Sequence, residues 1–426
     1  MGQTLSEPVR DKKTDMGGNT KYIFGVSEMQ GWRVTMEDAH TTLLELSPGD
    51  SNAYFAVYDG HGGSVVAKYA GEHVYKLLRD EKAYKAGQYK DAFKRAYLAT
   101  DQGLIDDPTI FCDTTGCTAV GALITDSKIY VANAGDSRAV LSMAGKSKAL
   151  SYDHKPSNKS ESVRIMEAGG YIQFSRVNGN LSLSRAIGDL EYKKNDKLGP
   201  EKQIVTSNPD VSERDITDDD EFFIVACDGI WDVLSSQKAV SRVRRKIAER
   251  KELGVICEEI MDECCAKEAE PTGSLGRDNM TIIVVGLLHG RTKAEWYDWI
   301  ASNVERDGTA TPPEVPEPKE EQVTFGFLGY DEGKDDDSDS SENDEEETKT
   351  GKSPQTAQAE SRDSERQPPP SSPTSGRSGT PTREGLGKGH STGGTAGSAS
   401  EGGAGAGPRG GKAGPQERDA GGCTST

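Results

Sequence analysis

The sequence has 426 residues, a formal net charge of −19 and a hydrophobic content of 33%, which leaves room for one large or two medium domains but indicates that part of the chain forms no core. Its net negative charge argues against a broad, positively charged surface of the kind that binds nucleic acid. Its seven cysteines are an odd number and include no Cys-x-x-Cys pair, so they support neither a disulfide framework nor a thiolate zinc site.

Residues 1–20 are polar, and we expect them to form a flexible N-terminal segment. They begin Met-Gly-Gln-Thr-Leu-Ser, without the apolar core of a secretory signal, so we expect a cytoplasmic and reducing setting. Gly2, with Ser6 after it, matches the N-myristoylation pattern. One acyl chain would give at most a transient membrane contact, and the same start is equally compatible with an unmodified N-terminus.

From residue 21 to 290, apolar runs typical of strands alternate with segments whose apolar residues recur at helical spacing. The strand-like runs are 51–58, 128–134, 221–227 and 280–288, and the helix-like segments are 63–79, 89–103 and 236–252. This alternation predicts one α+β domain over residues 21–290. Cys227 lies in one of the apolar runs and fits a small buried residue better than a nucleophile.

Beyond this domain, residues 291–330 predict a short extension that is partly helical and partly extended. Residues 292–305 have the pattern of an amphipathic helix, with Trp296, Trp299 and Ile300 facing the domain. Residues 331–347 contain eleven acids and one lysine, a net charge of −10, and Gly, Ser and Pro dominate from there to residue 426. Such a composition cannot bury enough apolar surface to fold, so it predicts a disordered tail over 331–426.

Three of the strand-like runs have an aspartate at one end. Asp59 follows 54–58, Asp228 follows 222–227, and Asp278 precedes 280–285. If the last strand is antiparallel to the first two, the three carboxylates meet at one end of the sheet structure. Carboxylates that share a partly desolvated site need a cation, and Mg²⁺ or Mn²⁺ prefers such oxygen ligands. Each aspartate taken alone is also compatible with an ordinary turn.

The segments MQGWRVTMEDAH (29–40) and FAVYDGHGG (55–63) closely resemble the metal-dependent protein phosphatases of the PP2C type. Further motifs follow in that family's order: GCTAV (116–120), NAGDSR (133–138), DHKP (153–156), LSRAIGD (183–189), ACDGIWD (226–232) and GRDNMT (276–281). Together they extend over about 22–290, and their shared order makes the resemblance specific. The opening residues and the acidic tail are most similar to the cytosolic fungal and animal members.

The resemblance implies a fold of two packed antiparallel β-sheets flanked by α-helices, an αββα sandwich. It implies two metal ions, with Asp59 bridging both, the Gly60 carbonyl on the second, and Asp228 and Asp278 on the first. Around these ligands it places Glu37, which would hold metal-bound waters, Asp38 and Asn279, which would support them, and Asp136 and Asp232, which match positions tied to a third, weaker metal.

The activity that the resemblance implies is hydrolysis of phosphoserine and phosphothreonine in proteins by a metal-activated water, without a covalent intermediate. Arg33 would bind the phosphate oxygens with its guanidinium fork, and His61 would protonate the leaving oxygen. In isolation, Arg33 would fit a surface ion pair and His61 a turn residue.

We expect phosphoprotein partners, with stress-activated protein kinases suggested by the resemblance, and a monomer. Residues 242–246 contain a group of basic side chains that fits either a nuclear import patch or a solvated helix face, so the nucleus is a second expected location. A catalytically silent PP2C-like binding or regulatory module is the alternative function. Such a module usually lacks one of the metal-binding acids, whereas this sequence contains all of them. A nuclease would need a basic groove, and a cysteine-dependent tyrosine phosphatase would need a Cys-x₅-Arg motif that the chain lacks.

Overall fold

The computed structural model describes residues 4–110, 114–268 and 275–308. All of them belong to the first of the two compact units into which the chain divides, Met1–Leu328 and Gly329–Thr426. Gly2, the extension beyond residue 308 and the predicted tail 331–426 lie outside the described residues. None of the described helices is long and apolar enough to cross a membrane.

The strands and helices alternate along the described residues as follows. The strands are β1 (Thr4–Gly18), β2 (Tyr22–Arg33), β3 (Ala39–Leu43), β4 (Ala53–Tyr58), β5 (Gly60–His61), β6 (Gly116–Cys117), β7 (Ala119–Ile124), β8 (Lys128–Ala134), β9 (Arg138–Met143), β10 (Lys146–Ala149), β11 (Ile172–Gln173), β12 (Arg176–Val177), β13 (Ile187–Gly188), β14 (Asp210–Asp215), β15 (Asp220–Ala226) and β16 (Met280–Leu287). The α-helices are α1 (Val65–Asp80), α2 (Lys82–Lys85), α3 (Tyr89–Asp106), α4 (Lys159–Glu167), α5 (Asp228–Trp231), α6 (Ser236–Ala248), α7 (Leu253–Cys264) and α8 (Lys293–Asp307). Two short 3₁₀ turns are Leu190–Tyr192 and Pro200–Lys202.

Two antiparallel sheets form the centre of the fold. One has the order β1-β2-β16-β15-β9-β10 and the other β14-β8-β7-β4-β3. A core cluster between them draws buried residues from both sheets, among them Phe24, Phe55 and Phe223, and the Phe24 and Phe55 ring centroids are 5.5 Å apart. The two sheets therefore pack face to face, as the predicted sandwich requires.

Helices cover the outer face of each sheet. The alternate residues Tyr54, Ala56 and Tyr58 of β4 pack against α1 and α3, while α5–α8 cover the outer face of the other sheet in a second cluster. Both faces of the central strands are thus buried, which explains why they read as continuous apolar runs. The α+β class and the αββα arrangement are confirmed.

The bounds of two of the predicted helices in the structure have identifiable causes. The helix predicted over 236–252 ends at Ala248, because Arg250 adopts a left-handed backbone (φ 60°), and a separate helix, α7, begins at Leu253. The helix predicted over 292–305 is α8, which starts from a capping box between Thr292 and Glu295. Its Trp296 is fully buried and donates its indole N–H to the Glu221 carbonyl at 3.2 Å.

The prediction of a flexible segment over residues 1–20 is wrong for Thr4–Gly18, which form β1 along the edge of the larger sheet. The polar composition concealed this strand because its ladder bonds to β2 come from the backbone. Its side chains reach α7 through polar contacts: Lys12 Nζ lies 2.9 Å from Asp262 Oδ1, and Thr14 donates to Glu258 at 2.6 Å. An edge strand with charged side chains also resists pairing with a second chain.

Candidate active site

The three strand-end aspartates line one cleft of about 510 Å³. Asp59 comes directly after β4, and Asp228 is the first residue of α5, which follows β15 after Cys227. Asp278 precedes β16, which is antiparallel to β15 with Ala226 opposite Ile282. The end of β15 and the start of β16 therefore lie side by side, and this brings Asp228 and Asp278 to the same edge.

Most of the other predicted site residues line the same cleft. They are Arg33, Glu37, Gly60, His61, Asp136 and Asn279. Asp38 is buried and is not part of the lining, and Asp232 lies one helical turn after Asp228, whose carbonyl accepts its N–H at 2.8 Å. Gly2 lies outside the described residues.

The carboxylates of this cleft repel one another. Burial raises the pKa of the Asp59 and Asp228 carboxyls well above the usual range, and the neighbouring carboxylates push in the same direction. Burial likewise raises the pKa of Asp38 to about 7. Such a cluster is stable at neutral pH only if protons or cations compensate the charge.

The donors closest to Asp59 are of two kinds. Carboxylate oxygens of Asp38 and Asp59 and the sulfur of Cys227 lie within 4.8 Å of one another. Burial raises the pKa of the Cys227 thiol well above its usual range, and its sulfur accepts the Thr281 N–H at 3.2 Å. A neutral thiol is a poor ligand for a hard cation, so the oxygens are the metal-type donors here and Cys227 is a packing residue.

Arg33 and Asp278 form an ion pair across the cleft, with Nη2 and Oδ2 2.5 Å apart. Burial lowers the pKa of Arg33, but Asp278 and the further charges of Asp59 and Asp228 outweigh it and raise the pKa overall. The guanidinium is therefore held at the acidic cluster as a cation.

Asn279 fixes the segment that carries Arg33 and Glu37. Its Nδ2 donates to the carbonyls of Gln30 and Thr35 at 2.8 and 3.0 Å, and its Oδ1 accepts the Glu37 N–H at 2.9 Å. All three polar positions of this amide are used, so Asn279 holds the loop after β2 against the start of β16.

His61 is paired with an aspartate that was not among the predicted site residues. Its Nε2 lies 2.8 Å from Oδ2 of the buried Asp189. A Cβ at Gly116 would lie 2.4 Å from that oxygen and 2.5 Å from Nε2, so only glycine leaves room for the pair. Burial lowers the pKa of His61, but the hydrogen bond and charge of Asp189 outweigh it and raise the pKa. The available signal was the position of Asp189 at the end of the motif 183–189.

Lys155 is the second residue that the sequence did not single out. It forms an ion pair with the buried Asp136. Burial lowers the pKa of Lys155, but the Asp136 charge outweighs it and raises the pKa above the usual range. Lys155 belongs to the motif 153–156, which was the signal available for it.

Comparisons with known proteins give a consistent result. The family model described as "Protein phosphatase 2C" matches residues 22–273, a range that contains every described site residue except Asp278 and Asn279. The chain is 50% identical over 347 residues to "Protein phosphatase 2C homolog 2" of Hypocrea jecorina, with 79% of each chain covered. It is 52% identical over 323 residues to the protein of that name from Schizosaccharomyces pombe, covering 74% of this chain and 87% of that one.

A solved structure of a phosphatase from a pathogenic strain of Toxoplasma gondii is also similar, with a TM-score of 0.55 and 25% sequence identity. The match covers 65% of this chain and 96% of that one. The likeness therefore extends over almost the whole of that solved chain.

Proposed function

The chain belongs to the protein phosphatase 2C family and is a serine/threonine protein phosphatase, and we propose that it hydrolyses its phosphoprotein substrates with two Mg²⁺ or Mn²⁺ ions held in the acidic cleft. The observation that carries this proposal is the convergence of Asp59, Asp228 and Asp278 on one cleft. The raised pKa values of Asp59 and Asp228 and the repulsion among the three carboxylates favour a site completed by divalent cations.

The donor set fits such ions. Carboxylate oxygens and a backbone carbonyl are the ligands that Mg²⁺ and Mn²⁺ prefer. In addition, Oδ1 of the buried Asp38 has no hydrogen-bond partner among the described residues, while Oδ2 accepts the Thr281 hydroxyl at 2.7 Å. An unsatisfied buried oxygen on Asp38 is accounted for if this residue serves the metal site through a bound water.

In this proposal Asp59 would be the carboxylate shared by the two ions, the Gly60 carbonyl would serve the second ion, and Asp228 and Asp278 would hold the first. Glu37 and Asn279 keep the surrounding waters and the loop after β2 in place. Asp136 and Asp232 are proposed for a third, weaker metal. When bound, the ions supply a strongly acidified water as the nucleophile and neutralise charge on the phosphate.

The remaining chemistry belongs to side chains of the chain itself. Arg33, at the mouth of the acidic cluster, orients the phosphate by binding two of its oxygens. His61 donates a proton to the departing serine or threonine oxygen, and Asp189 holds its ring in position. Water attacks phosphorus, the bond from phosphorus to the leaving oxygen breaks, and the products are inorganic phosphate and the free hydroxyl. Cys227 is unsuited to act as a nucleophile, since its thiol is buried and its pKa is raised.

The substrates are a proposal that comes from the resemblance, whereas the location and the lipid are proposals that come from sequence patterns. We propose stress-activated kinases among the substrates, a cytoplasmic and nuclear location, a monomer, and a myristate on Gly2 as a reversible membrane contact. A catalytically silent module is the alternative, and it would bind phosphopeptides in this cleft without turning them over.

The deciding experiment measures hydrolysis of matched phosphothreonine and phosphotyrosine peptides with Mg²⁺ or Mn²⁺ and with a chelator. We expect metal-dependent turnover that strongly favours phosphothreonine, and a loss of at least about 100-fold in Asp59→Asn with the fold intact. Asp126→Asn, on an exposed turn, is the matched control and should match the wild type. Turnover in chelator would overturn the metal proposal, metal-dependent turnover by Asp59→Asn would overturn the bridging role, and binding without turnover would favour the silent module.

A further inference from the structure

One wall of the cleft comes from a part of the chain to which no role has been given. Arg176 of β12 and the following residues Leu181, Ser182 and Leu183 line the same cavity as the acidic cluster. This wall is well placed to meet the part of a bound phosphoprotein that flanks the phosphorylated residue.

The backbone that carries Arg176 is firmly anchored. Its neighbour Val177 is fully buried in a small core cluster with Ile165, Ala186 and Val205. Val177 also exchanges backbone hydrogen bonds with Leu181, its N–H donating at 2.8 Å and its carbonyl accepting at 3.2 Å. Arg176 therefore projects from a fixed base rather than from a freely moving loop.

The guanidinium of Arg176 is oriented but not neutralised. Its Nη1 donates to the Asn180 carbonyl at 2.6 Å, and within the part of the chain that the structure describes it forms no ion pair with a carboxylate. The other cations of the site differ, since Arg33 is paired with Asp278 and Lys155 with Asp136. A neutral carbonyl leaves the full positive charge and the remaining N–H donors of Arg176 available to a ligand.

We propose that Arg176 is a specificity-determining residue that binds a second anionic group on the substrate, close to the phosphoresidue being hydrolysed. This inference rests on the proposed function, because it concerns the substrate of the same cleft. The anion is an oxygen-rich group that accepts two parallel N–H bonds, supplied either by an acidic side chain or by a second phosphate. The enzyme then prefers phosphosites in acidic or multiply phosphorylated sequences.

The test compares kcat/KM on phosphothreonine peptides in which a single Glu is moved through the positions flanking the phosphothreonine. Each peptide is paired with one carrying Gln at the same position, and a second series carries another phosphothreonine there instead. At the best position we expect the wild type to prefer the anionic peptide by roughly fivefold, in line with a solvent-accessible ion pair. If both the Glu peptides and the second-phosphothreonine peptides are hydrolysed faster than the Gln peptides, the site binds either kind of anion. If only the second-phosphothreonine peptides are hydrolysed faster, the site binds phosphate specifically.

The variants separate recognition from general damage. In Arg176→Gln, the ratio of kcat/KM on the anionic peptide to kcat/KM on its Gln partner should fall close to one. Arg176→Lys should keep part of the preference for the anionic peptide, since the charge remains but the planar fork is lost. Lys202→Gln removes the same charge from an exposed position outside the cleft lining and should keep the full ratio. A wild type that hydrolyses neither peptide would refute the proposed function, whereas hydrolysis with equal rates on both, or a ratio that survives Arg176→Gln, would overturn this inference alone.

Discussion

Nε2 of His61 lies 2.8 Å from Oδ2 of Asp189, an aspartate whose side chain is 4% exposed and whose backbone is left-handed at φ 49°. Such a conformation costs on the order of 1 kcal/mol for a residue with a Cβ, and it persists only where the surroundings enforce it. Here the short strands β5, β6 and β13 enforce it by pairing side by side. Because Nε2 is engaged by Asp189, Nδ1 is the ring nitrogen that the proposed proton transfer would use.

Replacing Asp189 with Asn should slow hydrolysis most for substrates whose leaving group must be protonated as it departs. We expect kcat on a phosphoserine peptide to fall by about 10- to 100-fold, because a neutral amide no longer stabilises the charged form of His61. Hydrolysis of p-nitrophenyl phosphate, whose leaving group departs without protonation, should fall by less than about threefold. Steady-state kinetics on both substrates provide the measurement. Equal losses on the two would mean that Asp189 supports only the fold.

The repulsion among the cleft carboxylates should be visible in thermal stability. Asp228 has a raised pKa in the folded state, so between its ordinary value near 4 and the raised value the folded protein binds more protons than the unfolded chain. Stability therefore falls as pH rises through that window. In chelator, Asp228→Asn should melt at least about 2 °C above the wild type at pH 8, and the gap should shrink at pH 5.

Added Mg²⁺ should reverse the order of these two proteins, since only the intact acid cluster gains from binding the ion. Asp126→Asn is again the control, because its pKa is lowered by Lys21 and its loss cannot relieve repulsion. If Asp228→Asn melts below the wild type in chelator at pH 8, repulsion is not the dominant effect at this position.

The meeting of the strand-end aspartates in one cleft could be predicted from the sequence because their positions depend on short-range patterns. Asp59 and Asp228 each follow an apolar run, and the motifs around them are specific. The partners of these residues depend on contacts between distant segments: His61 meets Asp189 only because β5, β6 and β13 pair. No local pattern in the sequence encodes such a contact.

Two parts of the fold were hidden for different reasons. The polar strand β1 is stabilised by backbone bonds to β2 and by ion pairs with α7, neither of which gives an apolar period. The break between α6 and α7 depends on the left-handed backbone of Arg250, a residue that ordinarily favours helices. The apolar periodicity therefore predicted that the helix would continue to residue 252, beyond the observed end of α6 at Ala248.

The close approach of β2 to α7 should make Gly25 far less tolerant of substitution than a glycine in an open helix. A Cβ at Gly25 would lie 2.3 Å from the Gly254 nitrogen and 2.4 Å from the Leu253 carbonyl carbon, both backbone atoms that cannot swing aside. Gly25→Ala should therefore destabilise the fold by about 1–3 kcal/mol or more.

Gly71 provides the matched opposite case. It lies inside α1, and a Cβ there would meet its nearest neighbour, the Ala39 Cβ, at an ordinary 3.7 Å. Gly71→Ala should stabilise the protein by about 0.5–1 kcal/mol, because alanine loses less backbone freedom in a helix. Urea unfolding of the two variants gives the comparison, and similar effects from both would show that β2 and α7 can separate at little cost.

Arg244 belongs to the basic group 242–246, yet it is buried and paired rather than solvated. Its Nη2 lies 2.8 Å from Oε1 of the fully buried Glu221 and 2.8 Å from Oδ2 of Asp307. Removing one member of such a pair leaves an uncompensated buried charge, so Arg244→Met should cost about 3–5 kcal/mol. Adding Glu221→Gln should recover part of that loss by removing the charge. Lys293→Met breaks the exposed pair with Glu252 and should cost less than about 1 kcal/mol. Chemical denaturation of the three variants measures these losses in the free energy of unfolding. If Arg244→Met loses no more than Lys293→Met, the buried ion pair does not stabilise the packing of α6 against β15.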